Sequence, residues 1–122
     1  MTELKKFSDH KYINVQTFRK NGEPVNTPIW FVISNDKIYV ITRELTGKVK
    51  RIKNNNQVKI APCSLSGKLK GDWVLGTVSF ISESETSDVI KLVNKKYGFW
   101  SKIASIFTAK KGRSIGLSIK LN

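Results

Sequence analysis

The sequence predicts a small, mainly β protein, an antiparallel barrel with helices packed outside it, and three observations carry that prediction. Stretches that alternate apolar and polar residues recur about six times along the chain. Turn residues such as Asn21-Gly22 and Ser34-Asn35-Asp36 separate several of them at the short spacing of hairpins. Two other stretches, one after residue 46 and one after residue 84, carry apolar residues at helical spacing instead. At 122 residues the chain fits one domain over 1–122. That is enough to bury a core, yet small enough that a sizeable ligand site calls on a second subunit.

Residues 1–9 are polar and form a lead-in of at most one helical turn. Tyr12-Ile13-Asn14-Val15-Gln16-Thr17-Phe18 alternates with period two, the pattern of a half-buried strand. After the Asn21-Gly22 turn, residues 25–33 return as a second strand. Pro28 lies inside it and cannot donate to a ladder, which assigns it to an edge, a bulge or a ligand-facing break. Residues 37–42 form the third strand. A helix over 47–54 follows, capped by Thr46, with Val49 and Ile52 inward and Lys48, Lys50, Arg51 and Lys53 outward. Asn54-Asn55-Asn56 ends it. Residues 57–63 give a fourth strand with Pro62 at an edge or end, and 73–82 a long fifth one. Ser84 or Thr86 caps a second helix, which carries Val89, Ile90, Leu92 and Val93 on one face and stops at Gly98. Residues 99–107 read as a short third helix, and 112–120 close the chain as a last strand.

Composition narrows the function. A formal net charge of +13 favours an anionic partner: nucleic acid, a membrane surface or a polyanionic small molecule. No run of about 18 apolar residues is present to span a membrane. The N-terminus lacks the apolar core of a signal peptide, so a cytoplasmic protein is expected. Cys63 and His10 are the only cysteine and the only histidine. Disulfides, cysteine metal clusters, multi-histidine zinc sites and Ser-His-Asp triads are thereby removed together. An enzyme built on this chain has to borrow its reactive group.

The densest chemistry sits where the third strand meets the first helix, at Thr42-Arg43-Glu44-Leu45-Thr46-Gly47-Lys48-Val49-Lys50-Arg51. A helix that opens at Thr46-Gly47-Lys48 points unpaired backbone N–H groups and the positive end of its dipole outward beside a lysine. A phosphate there would receive those donors plus the Lys48 ammonium, with Arg51 about one turn further along. It is not a Walker A loop: no glycine precedes Gly47 by five residues, and Val49 stands where Ser or Thr would bind magnesium. The plainer reading of the same residues is a capped, basic surface helix.

Three blocks in order, Thr17-Phe18-Arg19-Lys20-Asn21-Gly22-Glu23-Pro24-Val25-Asn26-Thr27-Pro28-Ile29-Trp30-Phe31, then Thr46-Gly47-Lys48-Val49-Lys50-Arg51, then Val58-Lys59-Ile60-Ala61-Pro62-Cys63, resemble the pyridoxamine 5′-phosphate oxidase-like split-barrel proteins that bind FMN or deazaflavin. The likeness is strongest to the branch that depends on coenzyme F420, a deazaflavin. It runs over roughly residues 10–120, with a fainter echo in Gly67, Gly71, Trp73 and Lys96-Tyr97-Gly98. The resemblance implies a six-stranded antiparallel split β-barrel of the FMN-binding type, and a homodimer with the cofactor at the subunit interface. It implies further that Thr27, Pro28, Ile29 and Trp30 line the cofactor ring, while Thr42, Thr46, Gly47, Lys48, Lys50 and Arg51 surround its phosphate end. The oligoglutamate tail of F420 would suit Lys50, Lys53, Lys68 and Lys70, for which solvated surface is the competing reading. The implied chemistry is hydride transfer to an electron-poor small organic substrate, with Tyr39, Tyr97 and His10 as candidate proton donors and no catalytic residue assigned.

Three readings compete with this one. FMN would use the same ring and phosphate positions, but Ile41 stands where the oxidases tend to carry tyrosine and Gly47 takes the place of a phosphate-binding arginine. A basic β-barrel could bind nucleic acid through a cationic groove and stacking rings such as Trp73, Phe99, Trp100 and Phe107. Those aromatics lie mostly in apolar surroundings and are not interleaved with Lys or Arg along one strand, which makes a nucleic-acid partner the weaker expectation. A cofactor carrier or sensor without turnover would show the same binding residues.

Overall fold

The computed structural model of the chain describes residues 2–98 and 112–122. Its elements run α1 (Thr2–Lys5), β1 (Tyr12–Phe18), β2 (Pro24–Trp30), β3 (Val32–Ser34), β4 (Lys37–Arg43), α2 (Gly47–Asn54), β5 (Gln57–Cys63), β6 (Val74–Phe80), α3 (Glu83–Tyr97) and β7 (Ser114–Leu121). The described strands form one antiparallel sheet in the order β2-β1-β5-β6-β7-β4-β3. Only Phe31 separates β2 from β3 in sequence, yet they occupy opposite edges of the sheet. The sheet therefore curls until its edges meet at that residue, which makes it the split barrel expected from the sequence. It has seven strands rather than six because the stretch 25–33 is cut in two at Phe31.

The cut has a physical cause. The Phe31 side chain is fully buried in the core, and ladder pairing stops at Trp30 and resumes at Val32. Its peptide groups turn instead to α3, where the Phe31 N–H donates to the Tyr97 hydroxyl at 3.1 Å and the Phe31 carbonyl accepts from Lys96 Nζ at 2.9 Å. Backbone polar groups in a closed core need partners, and here the partners come from a helix end instead of a strand.

Other elements follow from local chemistry. Asn35 and Asp36 both take positive φ, 51° and 62°, and join β3 to β4 through a two-residue turn of the I′ type. Pro28 lies on β2, which among the described strands pairs only with β1, so its missing N–H faces no neglected ladder there. Pro62 sits near the end of β5, beyond the last β6 partner at Ile60. Helix α2 has the bounds its sequence predicts, with Thr46 as N-cap and Val49 and Ile52 buried.

The structure corrects several expectations. The lead-in is not merely polar: Leu4 and the fully buried Phe7 belong to the main core, with the Phe7 ring edge-on to Phe31 at 6.4 Å. Helix α3 is capped by Ser82, whose hydroxyl accepts the Glu85 N–H at 3.1 Å, and not by Ser84 or Thr86. Thr86 is instead buried inside that helix, where its hydroxyl accepts the N–H of Gly116 at 3.1 Å. The buried stripe of α3 is Thr86, Val89 and Val93; Ile90 and Leu92 fall on its flanks and are exposed. A Cβ at Gly116 would lie 2.8 Å from Thr86 Oγ1, so the missing side chain is what lets α3 approach β7 there. Trp73 precedes β6 instead of opening it. The helix expected over 99–107 lies outside the described residues. No described helix is long and apolar enough to cross a membrane.

Candidate cofactor site

The β4 strand delivers the chain to the start of α2 and the cap fixes the entry. Thr46 Oγ1 accepts the Val49 N–H at 3.4 Å and donates to the Arg43 carbonyl at 3.0 Å. From the first turn, Lys48 Nζ reaches back to Thr42 Oγ1 at 2.8 Å. Thr42, Thr46, Gly47 and Lys48 are thus brought together at the positive end of the α2 dipole. A groove of about 320 Å³ runs along the same turn between Glu44, Leu45, Thr46, Gly47, Lys50 and Lys53, and Thr42, Lys48 and Arg51 do not line it. Lys50 and Lys53 are exposed, whereas Lys48 and Arg51, expected outward, are half-buried.

Arg51 explains why. Its Nε donates to Thr17 Oγ1 of β1 at 2.7 Å, and its guanidinium folds back over Gly47 so closely that a Cβ there would lie 2.9 Å from Nη1. Burial, and then the neighbouring Arg19 charge, hold the Arg51 pKa below the usual arginine value. No carboxylate pairs with Arg51 among the described residues, and the Arg19–Glu23 pair on the exposed hairpin is loose at 4.0 Å. The Arg51 guanidinium and Lys48 thus lie at one helix start, within the electrostatic reach of Arg19, an arrangement that an anion would relieve. Sequence reasoning missed Thr17 and Arg19 as members of this group. Both stand in the block 17–31 that carries the family resemblance, but nothing in their spacing to residue 51 announces the contact.

The second half of the predicted site is the edge strand. Thr27, Pro28, Ile29 and Trp30 are all half-buried on β2. Val15 of β1 is the register partner of Thr27, and Asn14 that of Pro28. β1 runs past both halves, since Thr17 holds Arg51 and lies about 10 Å along the strand from Asn14, with the two side chains on opposite faces of the strand. Asn14 is buried, with Nδ2 donating to the Gly67 carbonyl at 2.8 Å and Oδ1 without a partner among the described residues. That acceptor beside Pro28 and the cationic donors Lys48 and Arg51 at the start of α2 are the polar groups an acidic, ring-bearing ligand along β1 and β2 would meet. The groove along α2 includes none of residues 27–30.

Of the candidate proton donors, Tyr97 is committed to the backbone, and burial above all pushes its pKa up to about 12. Tyr39 is buried in the cluster under α3, and His10 is half-buried. Among the described residues no cluster of metal-ligating side chains occurs. Trp73 is half-buried; Phe99, Trp100 and Phe107, proposed as stacking rings for nucleic acid, lie outside the described residues.

A sequence profile of the pyridoxamine 5′-phosphate oxidase family matches residues 1–118. No curated protein sequence gives a match. Among solved structures, the heme storage protein HutZ of Vibrio cholerae superposes with a TM-score of 0.73 at 16% identity, over 99% of this chain and 89% of its own. A protein described as an F420 reductase gives 0.69 at 17% identity, over 97% and 91%. A FAD-binding protein of Mesorhizobium loti gives 0.69 at 12% identity, over 99% and 86%. At such identities the likeness shows a shared fold.

Proposed function

The chain belongs to the pyridoxamine 5′-phosphate oxidase family, and on that footing we propose that it is an oxidoreductase holding an acidic flavin-like cofactor between two copies of itself, with coenzyme F420 preferred and FMN the alternative. The observation that carries the reading is the seating of the Arg51 guanidinium over Gly47 at the start of α2, in the same turn as Lys48, where Arg51 has no carboxylate partner among the described residues. The amides of the first turn, the Lys48 ammonium and the Arg51 guanidinium would hold the phosphate, with Thr42 and Thr46 orienting Lys48 and the helix start. Along β2, backbone groups on the edge that β1 does not use would meet the border of the ring.

Two features favour F420 over FMN. Ile41 and Gly47 depart from the residues that the oxidases resembling this chain carry at those places. Exposed Lys50, Lys53, Lys68 and Lys70 supply surplus positive charge, for which an oligoglutamate tail gives a purpose. Once bound, the cofactor supplies hydride transfer to an electron-poor small organic substrate, so a chain without a catalytic triad suffices. The protein contributes grip, orientation and a site completed by its partner copy, in the cytoplasm. Purification from a host that makes deazaflavin, followed by an absorption spectrum of what copurifies, tests the reading. A deazaflavin or flavin spectrum is expected; a protein that ignores both cofactors at micromolar concentration contradicts it.

A further inference from the structure

The end of α3 holds the place where the barrel closes. Phe31 is fully buried, and both its peptide groups lack ladder partners among the described strands. Tyr97 Oη lies 3.1 Å from the Phe31 nitrogen, 2.9 Å from the Phe31 carbonyl oxygen and 2.7 Å from the Lys11 carbonyl oxygen. A hydroxyl has one proton, so it serves one of those carbonyls while accepting the Phe31 N–H. With the proton given to Lys11, the Phe31 carbonyl depends on Lys96, whose ammonium lies 2.9 Å away and 3.7 Å from the centroid of the Phe31 ring. The two neighbouring side chains therefore divide three backbone groups between them. Tyr97 also stacks on Trp30, with ring centroids 4.4 Å apart and planes 7° from parallel. Trp30 is the last residue of β2 and one of the four that the cofactor reading sets against the ring.

We propose that Tyr97 and Lys96 are positioning residues for the cofactor ring, a clasp that fixes the Phe31 crossing and the plane of Trp30 and so holds residues 27–30 in the shape that receives the ligand. The inference rests on the cofactor reading above and extends it to two residues that touch no ligand. Tyr97→Phe keeps the ring stacked on Trp30 and removes only the hydroxyl, which isolates the hydrogen-bonding part of the clasp. Lys96→Met removes the second donor, and Lys96→Arg restores a charged one.

Two readouts on the full-length protein separate positioning from general stability. In the ligand-free protein, hydrogen exchange followed by NMR should show the Phe31 amide losing about tenfold or more of its protection in Tyr97→Phe, while the Ile60 and Leu117 amides keep theirs. In fluorescence titrations with FMN and with F420, the dissociation constant of the wild-type ligand should rise roughly tenfold in Tyr97→Phe. Lys96→Met should shift both readouts the same way, and Lys96→Arg should return them toward wild type. If Tyr97→Phe does not fold, the two Lys96 variants carry the test alone. Unchanged ligand affinity in the variants overturns the clasp while leaving the cofactor reading intact, and so does an equal loss of protection at Ile60 and Leu117. A wild-type protein that binds neither FMN nor F420 overturns the cofactor reading and the positioning role with it, whatever the Phe31 amide does.

Discussion

Arg51 Nε and Thr17 Oγ1 lie 2.7 Å apart, a bond that ties α2 to the strand opposite Thr27 and Pro28. Thr17 is fully buried, and its hydroxyl also faces the Val25 carbonyl at 3.4 Å. Thr17→Val keeps the shape of the side chain and removes the acceptor. Unfolding in urea should show a loss of about 1 kcal/mol, because the half-buried guanidinium recovers water in place of the hydroxyl. Cofactor affinity should fall as well, since Arg51 is no longer held over the helix start.

Gly47 gives the complementary case. An added Cβ meets the far end of a flexible arginine and no backbone, so Gly47→Ala should leave thermal stability near that of wild type, helped slightly by helix propensity. The guanidinium has to move, however, and binding of a phosphate-bearing cofactor should weaken. Unchanged affinity would show that the seat of Arg51 over the first turn is incidental.

Stability should respond to alkaline pH in two opposed ways. Partial burial lowers the Lys96 pKa from its ordinary 10.5 to about 8. Between those values the unfolded chain binds more protons, so stability rises with pH. Lys96 is largely exposed as a residue, and solvent screening keeps that gain modest, below about 1 kcal/mol. Tyr97 runs the other way: its pKa is pushed from 10.0 up to about 12, so the unfolded chain ionises first and stability is lost as pH climbs through that interval. Urea midpoints taken from pH 7 to pH 11 should show Lys96→Met lacking the rise and Tyr97→Phe lacking part of the fall. Profiles parallel to wild type would contradict both assignments.

Phe7 tests the packing. The residue sits among polar neighbours, yet its side chain is fully buried against Phe31. Phe7→Ala should cost about 3–5 kcal/mol in urea unfolding, the range for a large aromatic removed from a core. A loss below about 1 kcal/mol would return the segment to a dispensable lead-in.

The local half of this architecture was legible in the sequence. Thr46, Gly47 and the Val49–Ile52 spacing write α2 directly, and Tyr12 to Phe18 writes β1, because caps and period-two patterns act over a few residues. What escaped is long-range. No glycine or proline marks Phe31, and the break there comes from Tyr97 and Lys96 on α3. Ser82, Ser84 and Thr86 are equally good caps by type, and only the packing of Thr86 against Gly116 moves the helix start to Ser82. Of the candidate site, the helix start was readable from residues 42–51, while the contributions of Thr17 and Arg19 depend on a fold that carries β1 past α2.

If the start of α2 grips a phosphate while β2 meets a ring, riboflavin separates those halves because it carries the ring of FMN without the phosphate. Fluorescence titration of the purified protein with FMN, riboflavin and F420 is therefore the most direct measurement. Phosphate-bearing cofactors should bind at least about 100-fold more tightly than riboflavin, the scale of two charge-assisted hydrogen bonds, and Lys48→Met with Arg51→Met should erase most of that difference. Equal affinity for FMN and riboflavin, or no binding of any of the three, would contradict the account.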